Sequence, residues 1–188
     1  MPRKYSRKYP LYRSPRPKWC PVNGDSAISM ATIGGQNYIT AIQPICVNPS
    51  RNEGAGSTPT VTSASIITVT RIRYQGINAT VLPLGISYIY FIAYVPEGIV
   101  ATNATTSVAN LGNSFFYRHP EWIMAWQRID YSAQGENNDV RLNTGSLKRK
   151  LNTGDSIVLG IMGINRSGDY TQQGHLTYGT YSFFTKNN

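Results

Sequence analysis

Short runs of apolar residues, separated by glycine, proline, asparagine and aspartate, recur along most of this chain of 188 residues. Eight such runs are predicted to form β-strands: residues 26–32, 37–47, 65–80, 86–95, 122–131, 140–151, 156–164 and 176–184. No helix of about 10 residues is predicted between them. Many short strands without intervening helices indicate an all-β sandwich or barrel. Strand spacing alone does not choose between an immunoglobulin-like sandwich and a jelly roll.

The segment 86–95 differs from the other runs because its apolar and aromatic residues are nearly continuous. Such a run predicts a strand that is buried on both faces. It is also the longest apolar stretch and falls short of the roughly 18 residues of a membrane-spanning helix, so we expect no membrane insertion. Polar segments rich in turn residues are predicted as loops: residues 51–60, 101–113, 132–139 and 165–174, with a turn at 152–155.

Composition predicts that the folded body is a single domain with a sizeable core, because 40% of the residues are hydrophobic and only 14% are charged. Two cysteines, Cys20 and Cys46, allow one disulfide at most. No export signal is recognised, so free thiols are expected, although the sequence does not decide whether the two pair.

Charge is concentrated at the N-terminus, where seven of the first 18 residues are basic and none is acidic. The basic residues are Arg3, Lys4, Arg7, Lys8, Arg13, Arg16 and Lys18, and the aromatic residues among them are Tyr5, Tyr9, Tyr12 and Trp19. The rest of the chain holds 11 Lys and Arg against nine Asp and Glu. Such a block of like charge is predicted to stay disordered until a polyanion neutralises it. Basic and stacking side chains together favour single-stranded nucleic acid as the ligand, over a solvated tail or a bare import signal.

A second basic cluster lies in the body, where Arg71 and Arg73 share one predicted strand and Lys148 and Lys150 share another. Residues i and i+2 of a strand face the same side, so Arg149 is expected to point away from its two neighbours. The cluster could protect a sheet edge, form a solvated face, or extend the basic arm onto the body. We therefore include Arg71, Arg73, Lys148 and Lys150 with the arm residues as candidates for phosphate contacts without base specificity.

No constellation of catalytic residues is recognised in the sequence. Gly154-Asp155-Ser156 places an acid beside a hydroxyl, but turn chemistry explains it. His119-Pro120-Glu121-Trp122 brings together a histidine and a carboxylate, and we interpret it as a loop at the head of a strand. The two histidines, His119 and His175, are too far apart for a recognisable metal cluster. We predict no catalytic residue, no metal ligand and no cofactor, and hence no enzymatic activity.

Three motifs occur in order along the body: Val69-Thr70-Arg71-Ile72-Arg73, Tyr94-Val95-Pro96-Glu97-Gly98, and a longer segment that runs from Leu147 to Leu159 and contains Leu151-Asn152-Thr153-Gly154-Asp155-Ser156-Ile157. With the basic arm, they make the chain resemble the capsid proteins of small circular single-stranded DNA viruses that encode a replication initiator, the circovirus-like or CRESS-DNA viruses. The resemblance covers the arm and the body from about Val69 to Leu159.

The resemblance implies a flexible arm over residues 1–20 and a single jelly-roll shell domain, an eight-stranded antiparallel sandwich, over residues 21–188. It implies a coat protein that self-assembles, with 60 copies in the smallest icosahedral shell, around a circular single-stranded DNA genome. Its location would be the virion and, during assembly, the host cell nucleus. A host nuclear import factor and an unknown cell receptor are the further expected partners. The alternatives are the coat protein of a satellite RNA virus and a non-viral jelly-roll module that binds carbohydrate.

Overall fold

Ten antiparallel strands account for most of the part of the chain that the computed structural model describes, namely residues 18–48, 66–78, 86–99, 104–130, 139–166 and 175–187. The strands are β1 (Cys20–Met30), β2 (Asn37–Val47), β3 (Ile67–Asn78), β4 (Ile86–Val95), β5 (Ala104–Ser107), β6 (Ile123–Asp130), β7 (Asp139–Asn143), β8 (Lys148–Leu151), β9 (Ser156–Asn165) and β10 (His175–Asn187). Between β5 and β6 lie a 3-10 turn (Val108–Asn113), helix α1 (Phe115–Arg118) and a second 3-10 turn (Pro120–Trp122). Within the described ranges, no helix is long and apolar enough to cross a membrane.

The strands form two sheets that pack face to face. The first, here called the β1 sheet, has the order β1-β10-β3, with β7 and β8 following one another along the far edge of β3. The second, the β2 sheet, has the order β5-β2-β9-β4-β6. The chain alternates between the sheets as it passes through β1, β2, β3 and β4, and again through β6, β7 and β8, β9 and β10. This winding is that of a jelly roll and confirms the all-β sandwich fold.

The apolar pattern predicts the central strands well because their side chains are buried over the whole length. Strands β2 and β4 have the predicted bounds, and β4 is buried on both faces, as expected. Strand β9 is buried in the same way. Strand β1 begins at Cys20, six residues before its predicted start, because it pairs with β10 from Cys20 to Met30. That pairing depends on a distant partner and is not visible in the local pattern.

The prediction of a loop over residues 101–113 is wrong in part. Strand β5 lies within it and extends the β2 sheet by pairing with β2, and the 3-10 turn Val108–Asn113 follows directly. A strand of four residues with the sequence Ala-Thr-Thr-Ser has no apolar alternation that could reveal it. The segment from Val108 to Trp122 covers the outer surface of the β2 sheet, where Phe91 contacts the rings of Phe115 and Phe116.

The prediction of one continuous strand over residues 140–151 is also wrong. The segment forms β7 and β8, separated by a turn in which Gly145 has a φ of 60°. Both strands pair with β3, and the turn faces a bulge in β3. Thr144 holds the two backbones together, because Ile72 donates its amide to the Thr144 hydroxyl at 3.0 Å and the Thr144 amide donates to the Ile72 carbonyl at 3.0 Å.

Two of the motifs noted in the sequence meet at one end of the sandwich, around the buried carboxylate of Asp155. This carboxylate accepts hydrogen bonds from the Tyr94 hydroxyl at 2.8 Å, the Glu97 amide at 3.0 Å and the Asn152 amide at 2.8 Å. Burial and the adjacent Asp155 raise the pKa of Tyr94, which keeps its hydroxyl a neutral donor. The Asn48 amide also donates to the Asp155 carbonyl at 2.9 Å. Asp155 therefore connects the turns that follow β2, β4 and β8, and its own turn between β8 and β9 is the one predicted from the sequence.

We predict that Asp155→Ala lowers the free energy of unfolding by about 3 kcal/mol, because three donors lose a charged acceptor in a buried position. The matched control is Asp130→Ala. Asp130 pairs with Arg128 at 2.9 Å, but both side chains are about half exposed, so this change should cost at most about 1 kcal/mol. Urea unfolding of unassembled subunits measures both values. Equal small losses would show that Asp155 does not hold the turns together.

A buried polar cluster surrounds His175 at the first residue of β10. The Tyr90 and Thr177 hydroxyls both donate to the Asn78 side-chain oxygen, at 2.6 Å and 2.8 Å. The His175 Nε2 lies 3.1 Å from the Tyr90 oxygen and 3.0 Å from the Thr177 oxygen. Because both hydroxyl hydrogens are already donated to Asn78, Nε2 carries the hydrogen and donates to the two oxygens. Burial lowers the pKa of His175 to about 4, and the ring is therefore neutral near pH 7.

This shift predicts a loss of stability in mild acid. The unfolded chain takes up a proton at His175 near pH 6.5, whereas the folded chain does so only near pH 4, so His175 costs progressively more stability as the pH falls through this window. The loss approaches about 3 kcal/mol at the lower end. Urea unfolding between pH 7.5 and pH 4 should show a shallower decline for His175→Gln than for the unchanged chain. His119→Gln, which alters a histidine outside this cluster that is 26% exposed, should keep the full decline, and identical curves for the two variants would contradict the assignment.

Candidate nucleic-acid interface

The outer surface of the β1 sheet carries more than half of the basic residues of the body. We call it the basic face. Six basic side chains from four strands lie on it: Arg71, Arg73, Arg141, Lys148, Lys150 and Lys186. Two acidic residues share this surface, Asp25 on β1 and Asp139 on β7, and Asp139 pairs with Arg141 at 3.3 Å. The structure thus brings together Arg71, Arg73, Lys148 and Lys150, the four candidates from the body.

A bulge in β3 is what places the arginines of that strand on the outside. Val69, Ile72 and Tyr74 are all buried in the core, although a regular strand would put Val69 and Ile72 on opposite faces. On β10, Ser182 pairs with Arg73 and Phe184 pairs with Thr70. One residue of β10 therefore lies opposite two residues of β3, which is the bulge. Arg71 sits in the bulge with a φ of 54°, a left-handed conformation that costs a residue other than glycine about 1 kcal/mol. Without the bulge, Arg71 would follow Val69 into the core.

The sequence contains a signal for this bulge. The apolar positions of β3 change from odd numbers, Ile67 and Val69, to even numbers, Ile72 and Tyr74. A change of parity within one strand requires an extra residue, and a bulge supplies it. The contributions of Arg141 and Lys186 to the basic face have no such local signal, because only strand pairing places β7 and β10 beside β3.

Arg149 points away from Lys148 and Lys150, as predicted. Its guanidinium carbon lies 3.7 Å from the centre of the Tyr94 ring, on the side of the sheet that faces the core. The cation therefore stacks on the residue that donates to Asp155 and belongs to the structural cluster at that end of the sandwich. Arg149 is not part of the basic face.

Two shallow grooves cross the basic face. One, of about 520 Å³, runs over β1, β10, β3 and β7 and is lined in part by Arg73 and Arg141. The other, of about 380 Å³, is lined by Trp19, Thr70, Arg71, Ser146, Lys148 and Phe184. We call the second the Trp19 groove. The Trp19 groove lies where the arm meets the body, because Trp19 is an arm candidate that lines it. Lys18 and Trp19 are the arm candidates that the structure describes.

The remaining arm candidates lie outside the described residues: Arg3, Lys4, Tyr5, Arg7, Lys8, Tyr9, Tyr12, Arg13 and Arg16. The arm therefore remains an expectation from the sequence. What the structure adds is the starting point of the body, because β1 begins at Cys20, directly after Trp19.

The other polar residues noted in the sequence are His119 and the two cysteines. The His119 ring stacks on Trp122 with centroids 3.8 Å apart, and its Nδ1 lies 3.3 Å from a Glu121 carboxylate oxygen. Cys20 is exposed at the start of β1 and Cys46 is partly buried on β2, and both are free thiols. Burial raises the pKa of Cys46. Among the described residues, no three His, Cys, Asp or Glu side chains are grouped to hold a metal ion.

Comparison with known proteins gives a structural likeness only. No protein-family model matches the chain, and no curated protein matches it. Thirteen chains of solved structures match, and one of them is from the cryo-EM structure of the mud crab tombus-like virus. That match has 12% sequence identity and a TM-score of 0.40, and it covers 100% of this chain and 88% of the other. A likeness this low carries no weight for function.

If the basic face contacts phosphates, removing its charges should reduce the salt dependence of binding to single-stranded DNA. Each lost phosphate contact lowers the slope of log affinity against log salt by about 0.7, so Arg73→Gln with Lys150→Gln should lower it by about 1.4. The charge-matched control is Arg118→Gln with Arg166→Gln, two exposed residues that do not belong to the β1 sheet. Fluorescence anisotropy at several salt concentrations gives the slopes. Equal slopes for both double variants would exclude a specific role for the basic face.

Proposed function

We propose that the chain is a viral coat protein that self-assembles into a small icosahedral shell and packages a single-stranded DNA genome, as in circovirus-like viruses. The observation that carries the proposal is the one-sided placement of charge on a jelly roll. Six basic side chains lie on the outer surface of one sheet, and the outer surface of the other is covered by the segment from Val108 to Trp122. A shell subunit needs this asymmetry, because only one of its faces meets the genome.

The basic face and the arm would act on the same side of the subunit. The arm leads into Trp19, whose ring lines a groove with Arg71 and Lys148 on the basic face. The basic face is therefore the surface that would be turned toward the packaged nucleic acid. Its contacts would be to phosphates, and packaging would depend little on base sequence.

The number of charges in a shell supports a role for both the arm and the basic face in packaging. A smallest shell of about 60 copies would carry on the order of 420 arm charges, enough to neutralise about 400 nucleotides. The six basic residues of the basic face, less the two acidic residues on the same surface, would add a net charge on the order of 240 per shell. The body thus adds about half as much again to the capacity of an arm that is shorter than the long arginine-rich arms of circoviruses proper.

Assembly would also use the apolar side chains that remain exposed on the body. Trp126 is 59% exposed on β6 and Tyr117 is 43% exposed on α1, both beside the covered surface of the β2 sheet. Exposed aromatic residues of this size are typical of protein interfaces. Because β6 lies at the edge of its sheet, these side chains are available to a neighbouring subunit.

The proposal predicts that the purified full chain sediments as a closed particle that contains nuclease-protected nucleic acid. A variant that lacks residues 1–18 should fold and form shells with far less nucleic acid, because the arm contributes charge and the strands begin after it. Sucrose-gradient sedimentation, negative-stain microscopy and the absorbance ratio at 260 and 280 nm measure these outcomes. Digestion of the released polymer with DNase and RNase identifies it.

Three results would contradict the proposal at different points. A monomer across all salt and protein concentrations would exclude the coat role. Protected RNA in particles formed in infected cells would replace the DNA genome with that of a satellite RNA virus. Full packaging by the truncated variant would show that the arm is not required.

A further inference from the structure

The Trp19 groove combines the two kinds of side chain that bind an unstacked nucleotide. Trp19 and Phe184 line it with rings that are 40% and 37% exposed, and Arg71 and Lys148 line it with cations. No acidic residue is among its lining residues. Its volume of about 380 Å³ is within the range of small-ligand pockets, which is about 300–1,000 Å³.

We propose that the Trp19 groove is a binding pocket for one nucleotide of the packaged single strand. The base stacks on Trp19 and Phe184, and Arg71 and Lys148 contact the adjacent phosphates. This inference rests on the proposed function and refines it, because it assigns to the body a contact that requires an unpaired base. The basic face as a whole requires only phosphates.

The backbone of Arg71 gives independent support. Glycine would occupy its left-handed conformation without strain, yet the position holds an arginine whose side chain is directed to the groove. The bulge itself is fixed by neighbouring contacts, including the hydrogen bond from the Thr70 hydroxyl to the Leu147 carbonyl at 2.9 Å. The fold thus holds a strained cation at the rim of an aromatic groove, and strain of this kind occurs where a side chain has a function.

The surroundings allow a strand to pass through the pocket. Thr70 and Lys148 are opposite one another in the pairing of β3 with β8, and Thr68 and Lys150 form the next pair on the same face. Lys150 therefore lies one step beyond the groove, and Arg73 lies on its other side. These cations can follow the phosphates on both sides of the bound nucleotide. A duplex would lack the exposed base, so the pocket should favour single strands.

The first test separates binding from folding at Arg71. Arg71→Gly relieves the left-handed strain, so the urea midpoint of the full chain should stay the same or rise. Its affinity for a six-nucleotide oligothymidylate, measured by anisotropy on unassembled subunits, should fall about tenfold. The charge control is Arg118→Gln, an exposed arginine on α1, which should change the affinity less than twofold. Equal losses for both variants would overturn the pocket.

The second test separates stacking from charge. Trp19→Leu with Phe184→Leu keeps every cation, so affinity for the oligothymidylate should fall about tenfold while the salt slope stays constant. Affinity for a duplex of equal length should change less than twofold. Equal losses on the two substrates would reject a stacking role.

The third test locates the base directly. A hexanucleotide that carries 5-iododeoxyuridine is irradiated with the full chain, and the cross-linked peptides are mapped by mass spectrometry. Cross-links at Trp19 or Phe184 support the pocket. Cross-links confined to residues 1–18 would assign all stacking to the arm and overturn the pocket, while leaving the coat proposal intact. A monomer across all salt and protein concentrations would refute the coat proposal whatever the cross-linking result.

Discussion

The bulge in β3 is the constraint on which the arrangement of this molecule depends. Strand β3 has to place Val69 and Ile72 in the same core while its arginines face outward, and a regular strand cannot do both. The extra residue at Arg71 allows both side-chain directions. The segment that pairs with β3 beyond it is interrupted at the bulge, so it forms two strands, β7 and β8, joined by a turn that faces the bulge. The same bulge positions Arg71 in the Trp19 groove.

The two sheets then have different outer surfaces. The β2 sheet is covered by aromatic residues of the segment between β5 and β6, such as Phe115 and Phe116 against Phe91. The β1 sheet leaves its outer surface open to solvent and collects the basic residues of four strands there. The charges of the described body are thus sorted by the fold, although the net charge of the body in sequence is close to neutral.

Sequence pattern predicts the parts of this fold that depend on burial. The bounds of β2 and β4 follow from apolar residues alone, and the turn at Asp155 follows from turn chemistry. Pattern fails where structure depends on a distant partner, as for the first residues of β1 and for the four polar residues of β5. Trp19 is a related case, because its sequence neighbours assign it to the arm whereas the structure places it in the lining of a groove that Phe184 and Lys148 of the body also line.

The central claim is that the basic face is turned toward the packaged nucleic acid. A cryo-EM reconstruction of nucleic-acid-filled particles tests it most directly, with the symmetry relaxed where the polymer is disordered. We predict that the outer surface of the β1 sheet lines the interior and that polymer density contacts Arg73, Lys148 and Lys150. A shell in which this surface faces the exterior, or in which the polymer contacts the segment from Val108 to Trp122 instead, would contradict it.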